Sequence, residues 1–132
     1  MKYTGQLYKM KEYDIKLLAD IRHSGYSWIE GFRRVGIKSR CWDNRIEYRH
    51  FPILGIPSDK RRTMPRRAVL EYYRETILPS TAGAQQFIVD LMADSYRIAL
   101  MCMEADYQLC HRQHLADALA ALCPEPVEII HL

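Results

Sequence analysis

Residues 97–103 read RIALMCM, with six apolar residues in succession and no alternation. A run of that length and pattern suits a central strand covered on both faces. The stretch after it changes period. From Cys110 to Leu122, the residues Leu115, Ala118, Leu119 and Leu122 fall at i, i+3, i+4 and i+7, the spacing of one helical face. Pro124 ends that helix, and residues 127–132 (VEIIHL) read as a last strand. Strand, helix, strand in this order predicts a βαβ unit with parallel strands and a right-handed crossover. A chain of 132 residues is the size of one domain. The expectation is therefore a single α/β domain over residues 1–132, built in three layers around a central, mostly parallel sheet.

The rest of the chain fits that frame. Residues 3–8 alternate and are aromatic, as a strand would be, and 15–21 (IKLLADI) read as a strand before the turn-like His23-Ser24-Gly25. Residues 28–35 suit a short helix closed by Gly36, and 40–44 a loop. Residues 47–54 (EYRHFPIL) read as a strand whose Pro52 places it at an edge or a strand end. Residues 55–65 (GIPSDKRRTMP) read as an exposed loop. A helix starts near Arg66, keeps Val69, Tyr73 and Ile77 on one face, and stops at Pro79. Another covers 84–96, with Phe87, Ile88, Leu91, Met92 and Ser95 on one face.

The net charge of +3 hides an asymmetry. From Arg22 to Arg67 there are twelve Lys/Arg against four Asp/Glu, a balance of +8, and the remainder carries seven against twelve, or −5. A basic segment of this kind suits an anionic partner such as nucleic acid or phosphate, and equally a solvated face paired with the acidic remainder. No apolar run reaches the length needed to span a bilayer, so a membrane partner is not expected. The first residues lack the apolar core of a signal peptide, which makes a cytoplasmic location the expectation. The four cysteines (Cys41, Cys102, Cys110, Cys123) are then expected as reduced thiols.

The chemistry concentrates in ALMCMEADYQLCHR, residues 99–112. Cys102 stands at the carboxyl end of the buried strand. Glu104 and Asp106 fall in the following loop, and Cys110, His111 and Arg112 in the first turn of the next helix. In open α/β sheets ligands bind beyond the carboxyl ends of strands, where helix N-termini present N–H groups. That setting attracts anions and lowers thiol pKa values. Cys102 fits a nucleophile, with Glu104 or His111 as its proton partner, Cys110 as a second thiol and Arg112 as a forked anion ligand. The structural alternatives are a small buried hydrophobe for Cys102, a loop cap for Glu104, and an ion pair for Arg112. Zinc held by Cys102, Cys110, His111 and His114 competes for the same atoms. The short Cys-x2-Cys knuckle is absent, and no metal is assigned. A disulfide between Cys102 and Cys110 is geometrically conceivable. Arg22 follows a strand and stands at the same sheet edge by topology. Lys60, Arg61 and Arg62 suit a basic lid over an anion, or a solvated run. Tyr26, Trp28, Trp42, Tyr72 and Tyr73 stand among basic groups, as a base-stacking surface requires. By spacing Tyr73 belongs to the core, and by residue type so do Trp28 and Trp42.

The stretch 99–119, with Cys102-x-Glu104 and Cys110-His111-Arg112 before a helix ending in Ala-Asp-Ala-Leu, resembles the hallmark of the domain-of-unknown-function family 488. VEIIHL is similar to that family's closing strand, and Leu18-Ala19-Asp20-Ile21-Arg22 to its Asp-x-Arg strand. The opening is shortened, with only about ten residues between Tyr3-Thr4-Gly5-Gln6 and Asp20, too few for a helix and both its turns. The resemblance implies an α/β fold, an enzyme linked to nucleotide or nucleic-acid processing, and a place for Asp20 and Arg22 in the site. The preferred expectation is a small cytoplasmic enzyme. Cys102, Glu104, Cys110 and His111 would be catalytic, and Arg112, Arg22, Asp20, Lys60, Arg61 and Arg62 would bind an anionic substrate. The alternatives are a non-enzymatic nucleic-acid binder using residues 22–67 and a zinc-stabilised interaction module. Cofactor and oligomeric state are left undetermined.

Overall fold

A computed structural model describes residues 13–23, 34–94, 97–102 and 111–130. Three parallel strands, β1 (Leu17–Asp20), β2 (Glu47–His50) and β3 (Ile98–Met101), form one sheet in the order β2-β1-β3. Leu17 pairs with Glu47 on one side and Ile98 on the other, and Asp20 with His50 and Met101. All four residues of β1 are buried, as a central strand requires. The helices are α1 (Arg34–Asp43), α2 (Ser58–Thr63), α3 (Arg66–Tyr72), α4 (Ala82–Ala93) and α5 (Arg112–Leu122).

The strand period of two sorts the core into two faces. Leu18, Tyr48, Ala99 and Met101 pack with Ile37 and Cys41 of α1. Ile98 and Leu100 face a larger cluster made by Val69, Tyr73, Ile77, Ile88, Val89, Leu115 and Leu119 of the helical half. Helices thus cover both faces of the sheet, which is the expected three-layer α/β arrangement.

Several local expectations change. Residues 40–44 are helical to Asp43, and Gly36 lies inside α1. The helix ends instead at Arg45, which takes a left-handed φ of 59°. Ile46 N then donates to Cys41 O at 2.8 Å and Arg45 N to Trp42 O at 3.1 Å, closing the α1 carbonyls. Ile46 joins the core while Trp42 is left 83% exposed, so Trp42 is not a core residue.

β2 stops at His50, and Pro52–Leu54 turns as a 3-10 segment, because Pro52 has no N–H to continue the ladder. The basic loop folds in part as α2. Pro79 does not stop the helix begun at Arg66. The chain widens into a π turn at Tyr73–Ile77 and runs on through Leu78–Ser80. Where this stretch ends, side chains take up its last carbonyls: Thr81 Oγ1 donates to Ile77 O at 2.8 Å and Gln85 Nε2 to Leu78 O at 2.7 Å. On α4 the buried face is Gln85, Ile88 and Val89, while Phe87 is exposed and stacks at 6.2 Å on Phe51.

Residues 127–130 form no strand. Pro124 and Pro126 constrain the chain before them, and Ile129 and Ile130 remain exposed, so no burial drives pairing. The described βαβ unit is β1–α1–β2 rather than the C-terminal one. The expected strand at 3–8 and most of the expected helix at 28–35 lie outside the described residues.

Candidate functional site at the carboxyl edge of the sheet

β1 leaves the sheet through Asp20-Ile21-Arg22-His23. Neighbouring strands still hold this exit: Ile21 N donates to Met101 O at 2.9 Å, and Phe51 N to Asp20 O at 2.8 Å. Asp20 and Arg22 are both buried, and their side chains make a two-pronged ion pair. Arg22 Nε donates to Asp20 Oδ1 at 2.8 Å and Nη2 to Oδ2 at 2.7 Å. Such a fork satisfies planar donors and planar acceptors together. Tyr48, on the same sheet face as Asp20, donates its hydroxyl to Oδ2. Burial opposes the Arg22 charge, and the bonds and charge of Asp20 outweigh it, raising its pKa. Burial, reinforced by Asp20, also raises the Tyr48 pKa. Asp20 accepts from Arg22 and Tyr48 together.

Two histidines brace the backbone on either side of this pair. His50, closing β2, donates Nε2–H to Arg22 O at 2.7 Å. His111, entering α5, donates Nε2–H to Ile21 O at 3.0 Å. A carbonyl only accepts, so each bond requires a hydrogen on Nε2. His111 is buried and its ring lies 4.8 Å from that of Tyr73, whose hydroxyl donates to Leu54 O at 2.7 Å. Burial pushes the His111 imidazole down to about 4, and the charges of Arg61, His114 and Arg112 push the same way. It is neutral at pH 7.

Gly55 completes the wall. A Cβ there would stand 2.2 Å from His23 N and 2.7 Å from Arg22 C, so only glycine lets the two backbones approach this closely.

The predicted residues are only partly gathered. Asp20 and Arg22 stand at the edge, with His111 bonded to the residue between them. Cys102 follows β3 at the same edge, buried in the core cluster that holds Leu115. It is disulfide-bonded, whereas Cys41 and Cys123 are free, so the expectation of four reduced thiols does not hold for Cys102. Cys41, on the buried face of α1, has its thiol pushed up to about 11 by burial, which makes it a packing residue.

Glu104 and Cys110 lie outside the described residues. Arg112 begins α5 beside His111. The basic triplet divides. Arg61 is exposed on α2 with its charge felt at His111, Lys60 lies 5.3 Å over the Tyr72 ring, and Arg62 is exposed. Among the described residues no group of three or more His, Cys, Asp or Glu is placed to hold a metal ion. Sequence reasoning passed over Tyr48 and His50. Their signal was the two-residue period of EYRH, which sets both on the Asp20 face at a strand's carboxyl end.

These features define an α/β domain whose parallel sheet carries a buried, polar, histidine-braced cluster at its carboxyl edge. Residues 5–119 match the model of the family described as Domain of unknown function DUF488, and the chain belongs to that family. The match is consistent with a shortened form of it. Comparison with curated proteins and with solved structures finds no match. Among the described residues no helix is long and apolar enough to cross a membrane.

Proposed function

We propose that the protein is a small enzyme acting on an anionic substrate, a nucleotide or nucleic acid, at the carboxyl edge of its sheet. The observation that supports this best is the convergence there of three chain segments. The β1 exit carries the Asp20–Arg22 pair, the end of β3 carries Cys102, and the entry to α5 carries His111 bonded to Ile21 O. In this reading Cys102, once reduced, is the nucleophile or a substrate-positioning thiol. Glu104 is the general acid/base and Cys110 a second thiol. His111, held neutral by burial, assists proton transfer. Arg112, Arg61, Lys60 and Arg62 hold the anion. Asp20 and Arg22 serve it as a buried ion pair that fixes the β1 exit. A cytoplasmic setting, which the reading assumes, supplies the small-molecule thiols whose exchange reduces the Cys102 disulfide, the reducing thiols leaving as their own disulfide.

The test is alkylation of the reduced protein by iodoacetamide as a function of pH, resolved by residue, with and without adenosine diphosphate. The reading expects Cys102 or Cys110 to react well below the ordinary thiol range and to be protected by the nucleotide. Ordinary thiol titration of both, unaffected by nucleotide, would remove their assigned roles. A second reading, a nucleic-acid binder using residues 22–67, is favoured by the exposure of Arg61, Arg62, Arg66 and Arg67. It expects affinity for nucleic acid to fall steeply with added salt.

A further inference from the structure

The end of α1 carries two residue choices that packing does not explain. Trp42 is the most exposed of the large hydrophobic side chains described, at 83%. Three residues on, Arg45 occupies the left-handed position that closes the helix. Glycine takes that position at least cost, because an L side chain crowds the backbone there. Arg45 is itself exposed, so no packing offsets the strain. An exposed tryptophan and, three residues on, an arginine in a strained backbone position suggest a common use, since such strain gathers at functional sites.

Their surroundings say what that use is. Lys38 lies one turn before Trp42 on the same helix face, and Ser39 beside it, both exposed. Asp43 is adjacent in sequence and turned to another face. A protein-binding hot spot would set tryptophan in an apolar ring. Here the described exposed neighbours are polar: Lys38 and Arg45 are cationic and Asp43 anionic, a net positive balance. An aromatic face flanked by cations matches a base to stack and phosphates to pair.

We propose that Trp42, with Lys38 and Arg45, forms a stacking platform for single-stranded nucleic acid. The platform rests on the nucleic-acid reading of the basic segment and on no step of the enzymatic one. α1 runs back from the carboxyl edge, so Trp42 stands at the opposite edge of the sheet from the histidine-braced cluster.

The experiment is fluorescence anisotropy of a labelled oligothymidine with the full chain at low salt, with the same sequence as duplex for comparison. Exposure makes the variants safe to fold, and circular dichroism checks it. Trp42→Ala is expected to weaken single-strand binding about five-fold or more, and Trp42→Tyr to keep most of it. Arg45→Gly is expected to raise the Tm while weakening binding and lowering the salt slope by about one. Wild-type binding that Trp42→Ala leaves unchanged overturns the platform and spares the basic-segment reading. Absence of binding at low salt overturns both. Equal affinity for the duplex, or self-association that Trp42→Ala abolishes, assigns the tryptophan elsewhere and also overturns the platform.

Discussion

His111 is where sequence position and buried environment conflict most. A histidine in the first turn of a helix would ordinarily titrate near 6.5, yet burial holds this one at about 4. The unfolded chain therefore binds a proton between those values that the folded chain refuses. Stability from this residue is complete above about pH 6.5 and is lost as pH falls towards 4, by roughly 3 kcal/mol in all. Urea unfolding at pH 7 and pH 4.5 should show that loss, and His111→Gln, which keeps a donor for Ile21 O, should flatten it. An unchanged pH slope in the variant would show that other groups carry the acid sensitivity. Asp20 is the second residue on which the edge depends. Asp20→Asn removes the carboxylate from a buried guanidinium and should cost about 3–5 kcal/mol. Tyr48→Phe removes one hydroxyl bond and should cost about 1 kcal/mol. Equal losses in the two variants would mean that the Arg22 charge is balanced by something other than Asp20.

At the scale of elements, the site depends on how closely two chain segments pass. The Gly55 backbone touches that of Arg22 and His23, and a methyl group there meets backbone atoms that cannot swing aside. Gly55→Ala should cost upwards of about 2 kcal/mol and disturb the His50 and His111 bonds together. The Cε1–H signals of both rings in a proton NMR spectrum report this directly. Unmoved signals would mean that the contact is slack. This contact also marks the limit of sequence reasoning. β1 and β3 were legible as strands from their apolar residues, but the central place expected for 97–103 belongs to β1: β3 is an outer strand of the described sheet, with only Met101 buried, because an apolar run does not encode strand order. α5 was legible because Leu115 and Leu119 repeat with the helical period. α1 was hidden because most of its turns are polar and it ends without glycine. VEII has the composition of a strand, but composition supplies no partner. Cys102, His111, Asp20 and Arg22 could be suspected from residue type and place. Tyr48, His50 and Gly55 owe their roles to segments far away in sequence, which local pattern does not encode.

For the whole molecule, the parallel sheet separates two regions of different character. Its carboxyl edge gathers the ion pair, the braced histidines and Cys102, with Arg61 nearby on α2. Its other edge, at the turn from α1 into β2, presents Trp42 and Arg45. Described residues of the basic segment contribute to both. Substrate chemistry is proposed for the first region and strand binding for the second. The first is the central claim, and amide NMR shifts on addition of adenosine diphosphate at low salt test it most directly. The account predicts shifts gathered on residues 20–23, 50–55, 61 and 111–114, diminished in Arg61→Ala. Shifts confined to the end of α1, or none at all, would contradict it.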